Sequence, residues 1–225
     1  SEEADVSGPA WSPDGGRIAF VRSRDFTHDL AVVDVATGEA TVVARGGCFG
    51  TPLWASGATL VVTFEDHATP PELRLVTLDP AGEPRPLVAA VPAAVCAAPH
   101  VVPEEVRFRS ADGVEIGALL YRPAPSARPA PAVVYAHGGP KEFSGAAWDG
   151  VAQYFVDKGY AWLELNYRGS TGRGKSFEHL NDLDWGGGDV RDCLAAADYL
   201  RTLDGVDPAR LAIFGASYGS YLALG

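Results

Sequence analysis

The chain has 225 residues, 47% of them hydrophobic, and a formal net charge of −11. This is enough apolar material for a packed core, and no apolar run is as long as a membrane span. An acidic chain is poorly suited to binding nucleic acid through its phosphates. We therefore expect neither nucleic acid nor a membrane among its partners.

The N-terminal part contains two similar β-rich segments. In the first, Trp11 to Gly15 precedes an apolar strand at Arg17–Val21. In the second, Trp54 to Gly57 precedes a strand at Thr59–Phe64, and its tryptophan comes 43 residues after the first. Propeller blades are four-stranded sheets that repeat about every 40 to 45 residues. The spacing therefore indicates two propeller blades.

Further matches keep the offset of 43 residues. Leu30 corresponds to Leu73 and Val33 to Val76, until the turn at Asp79-Pro80-Ala81-Gly82 lengthens the second copy. We predict two imperfect blades between about Gly8 and Val88, within a partial propeller at residues 1–90. A pair of unrelated hairpins is the alternative.

Residues 91–103 are predicted to be a linker, and the remaining residues, 104–225, a second domain. The stretch Ala89 to Pro103 is rich in alanine, valine and proline, which disfavours regular structure. A hairpin follows, with strands at Glu105–Arg109 and Glu115–Tyr121 joined by a two-residue Asp112-Gly113 turn. This hairpin opens the second domain.

Strands and helices alternate after the loop Pro123 to Pro131. The predicted elements are the strand Ala132–Ala136, the helix Ala146–Lys158, the strand Tyr160–Asn166, the helix Asp189–Leu203 and the strand Arg210–Phe214. Alternation of this kind predicts a parallel sheet covered by helices on both faces.

The sequence Gly215-Ala216-Ser217-Tyr218-Gly219 follows the last strand and opens a helix, as a nucleophile elbow does. A serine hydroxyl needs a histidine to accept its proton, and in α/β-hydrolases the acid and the histidine follow the serine. All five histidines precede Ser217. We therefore expect the catalytic Asp and His to lie outside this sequence, and the isolated chain to be inactive and poorly stable.

A second loop, His137-Gly138-Gly139-Pro140, follows the apolar strand Ala132–Ala136. Glycines let backbone N–H groups approach a substrate, as an oxyanion hole requires. The predicted oxyanion donors are the N–H groups of Gly139 and Tyr218. We expect His137 to be a buried histidine bonded to backbone rather than a general base.

The chain resembles the prolyl oligopeptidase family of serine peptidases, in its acylaminoacyl-peptidase-like branch. The resemblance rests on these two motifs, on Asn166 to Gly172, and on Asp184-Trp185-Gly186 followed by Asp189 and Asp192. The resemblance implies the N-terminal portion of an α/β-hydrolase fold preceded by the last blades of a β-propeller. It also implies cleavage of short peptides near their N-terminus by acyl transfer through Ser217. The expected partners are short peptides and the missing C-terminal hydrolase segment, and a homo-oligomer is compatible with this.

Three other functions stay open at this point. A carboxylesterase could use the same scaffold, because fold does not fix substrate. A non-catalytic interaction protein could retain the hydrolase portion without activity. An ATP-binding module is suggested by Gly169 to Ser176, which looks like a phosphate-binding loop, but this reading explains neither the elbow nor the loop at His137.

We expect no metal and no cofactor. Asp184, Asp189 and Asp192 have no histidine or calcium-loop spacing beside them, and Asp189 and Asp192 suit the first turn of a helix, where the dipole favours negative charge. The three cysteines, Cys48, Cys96 and Cys193, form no C-x-x-C pair. Reduced, buried thiols are therefore expected, which favours the cytoplasm.

Overall fold

The computed structural model describes residues 4–78, 82–124 and 129–225. These form two compact units. Among the described residues, the first comprises residues 4–100 together with Gly145–Trp148, and the second comprises Val101–Ser144 and Asp149–Gly225. Most of the turn predicted at Asp79 to Gly82, and part of the loop predicted at Pro123 to Pro131, lie outside the described residues.

The first unit contains two antiparallel sheets built from consecutive strands. One sheet has the order β1-β2-β3-β4, with β1 Asp5–Trp11, β2 Arg17–Arg24, β3 Thr27–Asp34 and β4 Ala40–Arg45. The other comprises β5 Cys48–Phe49, β6 Leu53–Ser56, β7 Thr59–Glu65, β8 Glu72–Thr77 and β9 Arg85–Ala89. Strands β5 and β6 both pair with β7, which pairs with β8, and β8 pairs with β9.

Alternate side chains of these strands form the core of the first unit, as the period of two in a strand requires. Ala19 pairs with Val32 in the first sheet, and Leu60 pairs with Val76 in the second, with all four side chains buried.

The predicted constant offset of 43 residues between the two segments is wrong for strands β3 and β8, which carry Leu30 and Leu73. Leu30 is fully buried, whereas Leu73 is 36% exposed. A shift of one residue moves a side chain to the opposite face of a sheet. The two sheets therefore correspond in strand pairing, but not at one fixed spacing in sequence.

A short helix, α1 Ala93–Cys96, follows β9. It lies within the predicted linker, where no regular structure was expected. Pro92 stands at the N-cap position, where a backbone N–H would have no partner within the helix, so the N–H that proline lacks is not needed.

The second unit is built on a five-stranded sheet with the order β10-β11-β13-β12-β14. Its strands are β10 Glu104–Arg109, β11 Glu115–Tyr121, β12 Ala130–Ala136, β13 Ala161–Asn166 and β14 Val206–Gly215. Strands β12, β13 and β14 are parallel, whereas β10 and β11 join antiparallel to one side. The sheet is therefore mixed, because the hairpin adds to the edge of the predicted parallel strands.

The hairpin loop has three residues rather than the two predicted. Ser110 N–H donates to Val114 O at 2.8 Å, and Gly113 N–H donates to Ser110 O at 2.9 Å. Gly113 has a φ of 88°, which glycine adopts without strain. This positive φ is what a three-residue hairpin loop ending in glycine requires.

Helices lie on both faces of this sheet. The longer ones are α2 Gly150–Asp157 and α4 Gly188–Arg201, and the shorter ones are α3 Lys175–Glu178 and α5 Tyr218–Leu224. On one face, Val134 of β12 packs in a core with α4 residues such as Ala196. On the other face, Tyr135 stacks on Trp162, which stacks on Phe155 of α2.

Helix α2 starts later than its predicted start at Ala146. Asp149 is the N-cap, and its Oδ1 accepts hydrogen bonds from Val151 N at 2.6 Å and Ala152 N at 3.0 Å. A carboxylate that bonds these free N–H groups defines the first turn. None of the helices in the described part of the chain is both long enough and apolar enough to span a membrane.

Candidate active site

Ser217 stands at a sharp turn between β14 and α5. Its φ is 53° and its ψ is −122°, a combination that non-glycine residues rarely adopt, and its side chain is exposed. A backbone held in such a region stores strain of about 1–3 kcal/mol. Strain and exposure are what a nucleophile elbow produces, because the turn presents the hydroxyl above the end of the sheet.

The two glycines of the elbow are required by close packing. A Cβ on Gly215 would lie 2.5 Å from the carbonyl carbon of Gly219 and 2.8 Å from the Ala136 oxygen. A Cβ on Gly219 would overlap the same Ala136 oxygen. The start of α5 thus rests directly on the backbone of β14 and β12.

The loop His137 to Pro140 lies beside the elbow, as the sequence pattern suggested. A Cβ on Gly138 would be 3.5 Å from Ser217 Cβ and 4.0 Å from Ser217 Oγ. Gly139 has a φ of 116°, and its peptide bond to Pro140 is cis. Glycine at position 138 therefore leaves backbone, not side chain, facing the serine, whereas a Cβ on Gly139 would lie 2.6 Å from Lys141 N.

His137 supports this loop instead of facing the serine as a base. Its Nδ1 lies 2.7 Å from Gly138 O, and its Nε2 lies 2.8 Å from Ser170 Oγ. Burial lowers the pKa of His137 to about 4. The imidazole is therefore neutral at pH 7, with both nitrogens bonded inside the protein.

Tyr167 holds the same loop from the other side. Its ring stacks on His137 at a centroid distance of 4.4 Å, and its hydroxyl donates to His137 O at 3.0 Å. Tyr167 and Ser170 belong to the Asn166 to Gly172 motif, but their contacts with His137 could not be predicted from the sequence, because they join residues 30 and 33 positions apart.

The N–H groups of Gly139 and Tyr218 have no backbone hydrogen-bond acceptor within the part of the chain that the structure describes. Tyr218 directly follows the serine in sequence, and Gly139 directly follows Gly138, the glycine that lies beside the serine. Free N–H groups in this position are what an oxyanion hole needs. Their role as oxyanion donors stays a prediction.

The acidic residues near the start of α4 have partners that the sequence did not indicate. Asp189 lies in the first turn, as expected, and accepts a hydrogen bond from the Tyr218 hydroxyl at 2.5 Å. Asp192 is fully buried and binds Arg168, through Nε at 2.9 Å and Nη2 at 2.8 Å. Asp192 lies beyond the first turn, so its predicted place at the positive end of the helix dipole is wrong, and its carboxylate instead neutralises a buried guanidinium.

Arg168 binds a second carboxylate, that of Asp112 in the hairpin loop. Its Nη1 and Nη2 donate to the two Asp112 oxygens at 2.7 and 2.9 Å. The hydrogen bonds from Arg168 lower the pKa of Asp112 to about 2. This network ties β13, α4 and the hairpin together beneath the elbow.

The segment Gly169 to Ser176 matches the spacing of a phosphate-binding loop, with four residues between Gly169 and Gly174. The N–H groups of Gly169, Ser170 and Thr171 nevertheless donate to carbonyls of the protein at 3.0–3.2 Å. A phosphate cradle requires such groups to be free, and its glycine loop opens a helix longer than the four residues of α3. The geometry therefore favours a structural loop over a nucleotide site.

Ser217 has no hydrogen-bonded histidine among the described residues. The described part thus contains a strained serine, a glycine loop beside it and two free N–H groups, carried by an α/β sheet. These features define the class of α/β-hydrolase-like serine sites.

The family follows from comparison with known sequences. Residues 147–225 match the sequence model described as "Prolyl oligopeptidase family". This match confirms the resemblance to the family that the motifs predicted.

Similar proteins extend the match over nearly the whole chain. The acylamino-acid-releasing enzyme of Sus scrofa is 30% identical over 95% of this chain and 31% of its own length. Dipeptidyl aminopeptidase BIII of Pseudoxanthomonas mexicana is 28% identical over 98% of this chain and 34% of its own. A solved Mycobacterium tuberculosis puromycin-hydrolyzing peptidase superposes with a TM-score of 0.82 at 30% identity, over 96% of this chain and 34% of its own. The chain therefore spans about a third of the length of these relatives.

Proposed function

We propose that this chain is the nucleophile-bearing part of a serine peptidase of the acylaminoacyl-peptidase type. The observation that carries the proposal is the strained, exposed Ser217, with φ 53° and ψ −122°, beside the backbone of Gly138. Ser217 is the nucleophile, and the N–H groups of Gly139 and Tyr218 bind the oxyanion.

The reaction is acyl transfer in two steps. Ser217 Oγ attacks the substrate carbonyl and gives its proton to a base, while the new oxyanion accepts hydrogen bonds from the two N–H groups. The amine leaves with that proton, and water then hydrolyses the acyl-serine by the reverse proton path. Stabilisation of the oxyanion by such donors accelerates each addition step.

The general base is proposed to be a histidine of the full-length protein outside these 225 residues, oriented by an acid that also lies outside them. His137 is unsuited to the role because its two nitrogens are bonded and its pKa is lowered to about 4. The length of the relatives, about three times that of this chain, leaves room for both residues.

The proposed substrates are short peptides, from which the enzyme releases an N-terminal blocked residue or a dipeptide. The names of the relatives at 30% and 28% identity support these two specificities. We further propose that the two antiparallel sheets of the first unit are the last blades of a β-propeller, which would restrict access by large folded proteins. The support is the consecutive antiparallel order of four strands in the first sheet and the related pairing in the second.

The cytoplasm is the proposed location. All three cysteines are free thiols, and burial raises the pKa of Cys48 and Cys193 to about 12. Cys96 is exposed, so the expectation of a buried thiol is wrong at that position, but unpaired thiols suit a reducing compartment.

A second candidate substrate is puromycin, because a solved relative at 30% identity is a puromycin-hydrolyzing peptidase. A carboxylesterase and a non-catalytic interaction protein remain as rivals. The exposed, strained serine favours an enzyme over an interaction protein, because strain without function is costly to retain.

The test is turnover by the full-length protein of four substrates: acetyl-amino-acid anilides, free-amine dipeptide anilides, puromycin and simple esters. We expect hydrolysis of anilides that Ser217→Ala abolishes, while Ser56→Ala, which changes an exposed serine of β6, serves as the control for loss of a hydroxyl. Activity confined to esters would refute the peptidase proposal. Absence of any Ser217-dependent turnover would leave the interaction protein.

A further inference from the structure

Asp189 is a fully buried carboxylate that the proposed mechanism does not use. It lies in the first turn of α4, and its side chain has no exposure to solvent. Its Oδ2 accepts the hydrogen bond from the Tyr218 hydroxyl at 2.5 Å, and its Oδ1 accepts one from Val190 N at 2.9 Å. The Asp189 side chain therefore bonds the residue after the nucleophile in addition to a backbone N–H of its own helix.

The start of α5 is also held by the close packing of Gly219 on Ala136 and by the Tyr221 hydroxyl, which donates to Trp185 O at 3.4 Å. No side chain caps the helix at Ser217, and the helix is seven residues long. Ser220 Oγ donates to Gly215 O at 2.9 Å, a bond within the elbow itself. The hydroxyl of Tyr218 is the group that bonds the elbow to the side chain of another helix.

The ring of Tyr218 is held in place by aromatic neighbours. Trp185 meets it edge-on at a centroid distance of 5.6 Å, and Tyr167 and Tyr221 lie at 6.1 and 5.5 Å. These contacts restrict the ring, and the ring in turn limits movement of the Tyr218 backbone, including its N–H.

Helix α4 is itself fixed to the sheet three residues further on. Asp192 binds Arg168, whose backbone N–H also donates to Asp192 Oδ2 at 2.8 Å. A rigid support therefore runs from the end of β13 through Asp192 to Asp189, and from Asp189 to Tyr218.

We propose that Asp189 is a positioning residue for the oxyanion hole, which it aligns by holding the Tyr218 side chain so that the Tyr218 N–H points at the developing charge. This inference rests on the proposed function. Asp189 is buried and does not touch substrate, so it acts through Tyr218 alone.

The test compares variants of the full-length protein on a peptide anilide and on a simple ester. Tyr218→Phe removes one oxygen and keeps the ring, and Asp189→Ala removes the acceptor. We expect each to lower kcat about tenfold with KM unchanged, less than the roughly 100- to 1,000-fold loss for deleting an oxyanion donor. Asp189→Asn keeps an oxygen acceptor, so it should restore most of the loss seen in Asp189→Ala.

The double variant should be no slower than the slower single variant, because both changes break one contact. Asp198→Asn and Tyr199→Phe, on the same helix, are the matched controls for loss of a carboxylate and of a hydroxyl. The inference would be overturned if Tyr218→Phe keeps wild-type kcat or if the variants change KM alone. It would also be overturned if the losses of kcat are additive in the double variant or equally large in the control variants. If Asp189→Ala does not fold, Tyr218→Phe and Asp189→Asn decide the question.

Ser217→Ala distinguishes a failure of the proposed function from a failure of the role proposed for Asp189. Turnover that persists in Ser217→Ala refutes the proposed function itself. Turnover that disappears in Ser217→Ala but is unchanged in Tyr218→Phe refutes the role of Asp189 alone.

Discussion

Gly215→Ala tests whether the packing of the elbow sets the reactivity of Ser217. The new Cβ would lie 2.5 Å from the carbonyl carbon and oxygen of Gly219, where ordinary contact begins at 3.4 Å. Because these are backbone atoms, the first turn of α5 must move by about 1 Å. A displacement of about 1 Å at a reacting group lowers rate about 100-fold. We therefore expect kcat to fall by about two orders of magnitude.

The assay is kcat and KM of the full-length protein on a chromogenic anilide, with thermal unfolding measured in parallel. Gly16→Ala is the control, because its nearest neighbour beyond the adjacent residues is Asp14 Oδ1 at 3.5 Å, an ordinary contact. A Gly215→Ala protein that folds and keeps wild-type kcat would refute the claim that these glycines define the elbow.

Two further predictions concern the support of the site. Arg168→Met should lower the free energy of unfolding by about 3–5 kcal/mol, because it leaves the buried Asp192 unpaired. The control Arg201→Met breaks an exposed pair with Asp198 and should lower the free energy of unfolding by less than about 1 kcal/mol. Chemical denaturation checks this, and equal losses would contradict it. Burial raises the pKa of Glu164, so the folded state keeps a proton that the unfolded chain releases above about pH 4.3, and the contribution of Glu164 to wild-type stability should fall as pH rises. The Tm of Glu164→Gln relative to wild type should therefore increase from pH 5 to pH 8, and parallel profiles would show that Glu164 is ionised in the folded protein.

Local pattern was sufficient to predict the elements that carry the site. The strand before His137 and the strand–turn–helix around Ser217 were predicted because short apolar runs bounded by glycine have few alternative conformations. The position of Gly138 beside Ser217 then follows from β12 and β14 being parallel neighbours, whose carboxyl ends meet at one edge.

Contacts between distant residues could not be predicted in this way. The bonds from Arg168 to Asp192 and Asp112 span 24 and 56 residues, and no periodicity relates those positions. The Tyr218–Asp189 bond spans 29 residues. The predicted length of the hairpin loop was wrong for a different reason. Asp-Gly suits both two-residue and three-residue loops, and only the pairing of Ser110 with Val114 decides between them.

The most direct test of the central claim is labelling of the full-length protein with a fluorophosphonate, followed by identification of the modified residue by mass spectrometry. We expect rapid labelling at Ser217, none in Ser217→Ala, and unchanged labelling in Ser56→Ala, an exposed serine of β6 outside the elbow. A folded full-length protein that is not labelled at Ser217, or one that is labelled equally in Ser217→Ala, would contradict it.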